Sequence, residues 1–232
     1  MPPNTQTGYR ISLFLKKERK GTGLKISREV AFMAAHCFKN GELRIGLRLQ
    51  VEDGPVAKVA DFNHASDLVL LALDDTSSPL GGWAYGGKCR RGDAWQAVPY
   101  TSPKPLLGHV LDPRAVYHED DDLTVKALRL QCRQPINERT HYAGSPVEPH
   151  GRTAPSVVLG LMVKPWNRPV GDDEAFAISV KEAMAIFGLL MPPGAARRST
   201  NHASANGDSG SGPALGVWWT VQSRRPSNRG GS

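Results

Sequence analysis

Between Tyr9 and Leu73 the chain is a close succession of short apolar runs, and nowhere in that span do apolar residues recur at helical spacing. Tyr9–Leu15 alternates around Ile11, Leu13 and Leu15, the pattern of a half-buried strand, and Lys16–Gly21 follows as a charged hairpin loop. Gly21-Thr22-Gly23 then lets the backbone pass close to a neighbour, with Leu24 and Ile26 after it. Val30–Ala35 is a continuous apolar run, as expected of a strand covered on both faces. Leu43–Val51 alternates through Leu43, Ile45, Leu47, Leu49 and Val51 and reads as one long strand. Val56–Ala60 and Asp67–Leu73 complete the set. Strands spaced this closely, with no helix between them, must cover one another, and a compact β-barrel does so.

The second half repeats the style without repeating the sequence. After a Gly-rich connection over Gly81–Gly92 come Trp95–Tyr100, Leu106–Leu111, Leu123–Cys132, the apolar run Ser156–Val163, and Ala175–Val180. Val180–Phe187 changes to helix formers and is closed by Gly188. A second barrel ending in a helix is expected. Beyond Met191 the chain is rich in Pro, Gly, Ser and Asn, the composition of a disordered tail over 191–232, with one apolar island at Leu215–Val221.

At 232 residues, 40% hydrophobic and 22% charged, the chain can build a substantial core. Its net charge of +7 is largely local, as in Lys16–Lys20 (KKERK) and Lys88–Arg91 (KCRR), and reads as scattered surface charge, so a nucleic-acid partner is not expected. No apolar run is long enough to span a membrane, and no membrane partner is expected. Three cysteines without Cys-x-x-Cys spacing fit neither a disulfide framework nor a zinc site. A reducing, cytoplasmic setting is expected, with no metal or cofactor.

His36 ends the apolar run Val30–Ala35, after Ala34-Ala35, and Asp67 opens another. A serine becomes nucleophilic when an imidazole can take its proton, and the imidazole needs a buried carboxylate to fix its tautomer. Ala34-Ala35-His36-Cys37 and Asp67-Leu68-Val69-Leu70-Leu71 resemble the first two triad motifs of the trypsin-like (chymotrypsin) serine peptidases, and Gly21-Thr22-Gly23-Leu24 resembles a strand of their bacterial members. The resemblance implies an all-β fold of two six-stranded antiparallel barrels with a C-terminal helix: a peptidase domain over 1–190, with barrel 1 about 9–80 and barrel 2 about 93–188. It implies a peptide or protein partner in the cleft. Bacterial relatives of this type are often fused to signalling or ATPase modules, so a fused or associated signalling module is expected as well.

Two stretches compete for the third triad position. Gly207-Asp208-Ser209-Gly210 matches the family's signature in letters, but it lies in the tail, with one apolar stretch after it where two strands and a helix are required. His141-Tyr142-Ala143-Gly144-Ser145-Pro146-Val147 resembles the Gly-x-Ser-Gly-x-Pro-Val loop of bacterial members. The expected later pieces follow it: Val157–Leu161, Phe176–Val180 and the helix. On that alignment Ala143 stands at the nucleophile position, natural or introduced by design. His141 replaces the glycine of the oxyanion loop, whose remaining members are Tyr142 and Gly144. The expected activity is therefore that of a trypsin-like homologue without a nucleophile, with an active endopeptidase using Ser209, or an engineered Ala143, as the alternative. Ser145 is two residues too far along to substitute. Asn137, at the floor of the specificity pocket by the same alignment, indicates no preference. His64 reads as an exposed loop residue, and His118 with Glu119–Asp122 as a solvated turn. Cys37 has no upstream cysteine to pair with, so the disulfide usual beside the family histidine is absent.

Overall fold

A computed structural model describes residues 9–39, 41–52, 54–74, 84–98, 104–119, 123–136, 142, 144–151, 157–164, 171 and 173–189. Among the described residues it is all-β apart from short 3₁₀ turns and one helix. Barrel 1 is formed by β1 (Arg10–Leu15), β2 (Glu18–Lys25), β3 (Val30–Ala34), β4 (Arg48–Val51), β5 (Val56–Asn63) and β6 (Leu68–Leu73). These close in the order β1-β2-β3-β6-β5-β4. The second half adds β7 (Tyr85–Gly86), β8 (Ala94–Ala97), β9 (Leu106–Glu119), β10 (Leu123–Cys132), β11 (Pro146–Pro149), β12 (Val157–Val158), β13 (Gly160–Val163), β14 (Glu174–Ile178) and α1 (Val180–Ile186). Barrel 2 closes as β10-β14-β13-β11-β8-β9, while β7 and β12 form a small parallel pair outside it. The two six-stranded antiparallel barrels and the C-terminal helix are as expected.

The continuous apolar runs have a physical cause. On β6, Val69, Leu71 and Leu73 fill barrel 1, while Leu68 and Leu70 face the other way into a core shared with barrel 2. On β3, Ala31 and Met33 point into the barrel, and Phe32 joins the shared core. Phe176 and Ile178 of β14 and Met184 of α1 meet them there, and Phe32 stacks on Phe187 at 5.9 Å. Both faces of β3 and β6 are therefore dry, which a period-2 pattern would not allow. Ser179 caps α1 by accepting from Glu182 N at 3.2 Å, and Leu189 N returns to Met184 O at 2.8 Å past Gly188, closing the helix end.

Some boundaries differ from the sequence pattern. Leu43–Val51 is not one strand: only Arg48–Val51 pairs as β4. Gly46 takes a φ of +83° and Leu47 N bonds back to Arg44 O, so the chain turns where the alternation continues. Ile45 is consequently 66% exposed rather than inward. The hairpin loop at Lys16–Gly21 shrinks to a turn at Lys16-Lys17, since β2 starts at Glu18 and runs through Gly21-Thr22-Gly23. Ser156–Val163 is interrupted at Leu159, giving β12 and β13 separate partners. The tail beyond Leu189, and with it Ser209, lies outside the described residues.

Candidate functional site

Asp67 is completely buried, with a φ of +55° that turns its carboxylate inward at the mouth of barrel 1. Its Oδ1 accepts from the backbone N–H of His36 at 2.7 Å, and its Oδ2 is hydrogen-bonded to His36 Nδ1. Ala35 N also donates to Asp67 O at 3.0 Å, so the 3₁₀ turn Ala35–Cys37 is laced to the start of β6. The two residues selected from the sequence thus meet through two hydrogen bonds. A third bond comes from barrel 2, where the backbone N–H of Lys164, just past β13, donates to Asp67 Oδ2 at 2.7 Å. With Nδ1 held by a buried carboxylate, the orientation of the imidazole is fixed and Nε2 is the ring nitrogen that Asp67 does not engage. Nothing in the sequence marked Lys164, because its contribution is a main-chain group that any residue could supply.

The loop before β11 completes the local geometry. Ser145 N donates to Tyr142 O at 3.0 Å, closing a tight turn, and Gly144 N donates to Met162 O at 3.1 Å. Gly144 has a φ of +68°, and a Cβ there would stand 2.6 Å from Thr22 O and 3.7 Å from Ala34 Cβ. A side chain is excluded on both counts. The turn therefore presses on β2 and on the end of β3, two residues before His36. Ala143, His141 and Asn137 lie outside the described residues, as does the acidic turn at 120–122. Ser145 is buried, and its Oγ has no hydrogen-bond partner among the described residues. His64 is exposed and packs edge-on against Phe62, away from Asp67's carboxylate partners.

Two neighbours of the site were not legible beforehand. Glu148 of β11 accepts from Tyr9 Oη at 2.5 Å and Arg10 Nε at 3.1 Å, linking the strand after the loop to the first strand of barrel 1. A glutamate between Val147 and Pro149 in a buried strand is the signal that could have indicated it. Cys37, next to His36, has its thiol pushed up to about 12, first by burial and then by the charge of Asp67. It is therefore inert as a nucleophile. Cys37, Cys89 and Cys132 are all free thiols. Among the described residues no group of three or more His, Cys, Asp or Glu could hold a metal ion.

No protein-family profile matches the chain, and no curated protein matches its sequence. Solved structures do match it in shape. The MamO protease domain from Magnetospirillum magneticum superposes with a TM-score of 0.56 at 15% identity, over 79% of this chain and 97% of that one. The inactive form of the Rv3671c protease from M. tuberculosis gives 0.55 at 14% identity, covering 78% of this chain and 90% of that. The HtrA-type protease AlgW, solved with a decapeptide, gives 0.51 at 16% identity over 73% of this chain and half of its own length. At such identities shape alone is shared, and that shape is the chymotrypsin fold of the trypsin-like serine peptidases.

Proposed function

We propose that this protein is a trypsin-like peptidase homologue that binds a peptide in the cleft between its barrels without cleaving it. The observation that carries the reading is the assembled His36–Asp67 pair, set beside a turn whose sequence is Tyr142-Ala143-Gly144-Ser145. Gly144 fits the conformation and the close approach that the glycine after a nucleophile requires, which supports Ala143 as the nucleophile position. Alanine has no oxygen to attack with, so His36 has no proton to accept. Loss of a nucleophile in such chemistry removes roughly a million-fold of rate. His141, in place of an oxyanion-loop glycine, is a second departure, and an impaired oxyanion site costs about 10²–10³-fold where the two act independently. The peptide complex of AlgW supports the choice of ligand class. A reducing, cytoplasmic setting is part of the same proposal.

A fluorophosphonate probe tests the reading. The wild-type chain is expected to remain unlabelled and to leave casein intact, while Ala143→Ser labels at residue 143 in a His36-dependent manner. Labelling of the wild type at Ser209, or casein turnover that His36→Ala abolishes, would overturn it.

A further inference from the structure

The basic residues of barrel 1 are dispersed in sequence, but the strand register sets two of them side by side. Arg48 of β4 stands directly opposite Lys58 of β5, both on the outer surface. On its other side β4 pairs with β1 as Phe14 to Gln50, and exposed Lys16 lies in the turn that follows β1. Arg48 and Lys58 face each other across two adjacent strands, about 5 Å apart. Lys17 adjoins Lys16 at the hairpin tip, and exposed Arg44 stands in the loop before β4. The Lys58 side chain runs beside Gly46, its Cε 3.8 Å from where a Cβ would be, which sets it next to Ile45. Ile45 is the most exposed of the large apolar side chains among the described residues. The acids nearby are Glu18, opposite Leu15 across the same turn and paired with Lys20 and Lys39; Glu42, also a partner of Lys20; Asp74, a loose 3.8 Å partner of Arg48; Asp61, which accepts from the N–H of Phe62; and Glu52, just past β4.

Two features show stability given up to keep this charge. Like charges directly opposite on neighbouring strands repel. Lys16 and Lys17 also hold φ values of +50° and +70° in a two-residue turn, positions where Asn and Gly are at ease and lysine is not. An anionic partner would offset the repulsion. A nucleic acid would use the cations but would gain nothing from Ile45. An interface with both anionic headgroups and an apolar layer uses all of them.

We propose that this face of barrel 1 docks peripherally on an anionic lipid surface, with Ile45 entering the interface and Lys16, Lys17, Arg44, Arg48 and Lys58 meeting headgroups. It departs from the expectation of no membrane partner, which rested on the absence of a spanning segment. It is independent of the role of Ala143. Co-sedimentation with vesicles tests it, using phosphatidylcholine alone and phosphatidylcholine with about 30% phosphatidylserine. The chain is expected to sediment with the anionic vesicles only, and less so at high salt. Each basic residue at such a surface is worth about fivefold in partitioning, so Lys16→Glu combined with Lys58→Glu should lower it at least about 25-fold. Ile45→Ser should weaken it further, whereas Lys126→Glu, an exposed change on barrel 2, should not. All four side chains are exposed, so unchanged melting temperatures confirm that the variants fold. Failure to bind anionic vesicles, equal loss with Lys126→Glu, or binding indifferent to Ile45→Ser would overturn the proposal. So would retention on an oligonucleotide that vesicles do not displace.

Discussion

Gly21→Cys should create a disulfide that the chain lacks, and the structure fixes its geometry. A Cβ on Gly21 would lie 2.8 Å from Cys37 Sγ and 3.5 Å from Cys37 Cβ. Disulfides hold their Cβ atoms about 3.5–4.5 Å apart, and bond geometry places each Cβ about 3 Å from the opposite sulfur. β2 and the 3₁₀ turn are therefore already positioned for the bond, and Gly21 occupies the place of the cysteine that the family resemblance leaves missing beside His36. Closing a loop of about 15 residues is worth about 3 kcal/mol through the unfolded chain. At about 2–4 °C per kcal/mol for a domain of this size, the oxidised variant should melt about 6–12 °C above its reduced form. Gly21→Ala is the control. Its methyl meets the same sulfur with no bond to form, and should cost about 1–3 kcal/mol. The raised pKa of Cys37 makes the folded thiol slow to oxidise, so the bond should be formed during refolding in a glutathione buffer. Thiol titration should then find only Cys89 and Cys132 reactive. A variant that refolds without the bond, or whose oxidised form melts no higher than its reduced form, would refute the geometry.

Three further outcomes follow from the site. Gly144→Ala combines a left-handed φ with a 2.6 Å approach to Thr22 O and should destabilise by about 2 kcal/mol or more in urea unfolding. Asp67→Ala strands three buried or half-buried donors, His36 N, His36 Nδ1 and Lys164 N, and should cost about 3 kcal/mol or more by the same measurement. Cys37 sets a pH dependence. Below the ordinary thiol range both folded and unfolded states hold the proton; above it the unfolded chain releases the proton while the folded one keeps it until about 12. Stability should therefore fall with rising pH across that window, by up to about 1.4 kcal/mol per unit, and Cys37→Ala should flatten the slope.

The inter-barrel contacts explain which parts of the site could be anticipated. His36 and Asp67 each sit at the end of a fully apolar run, and those runs are apolar on both faces because β3 and β6 lie between a barrel interior and the shared core. Burial on that scale leaves a mark in the letters. Lys164 supplies a backbone N–H and leaves none, and Glu148 leaves only the weak one of a single acid in a short buried strand.

The all-β class, the two barrels and the C-terminal helix were legible in the sequence alone, through apolar period, turn residues and motif context. The tertiary structure decided what depends on register and close approach. It broke the alternation of Leu43–Val51 at Gly46 and left Ile45 facing solvent. It brought Gly21 against Cys37 and set Arg48 opposite Lys58. Periodicity along a chain says which face of a strand is dry. Which residues of other strands share that face is set by how the strands pair and where the barrel closes.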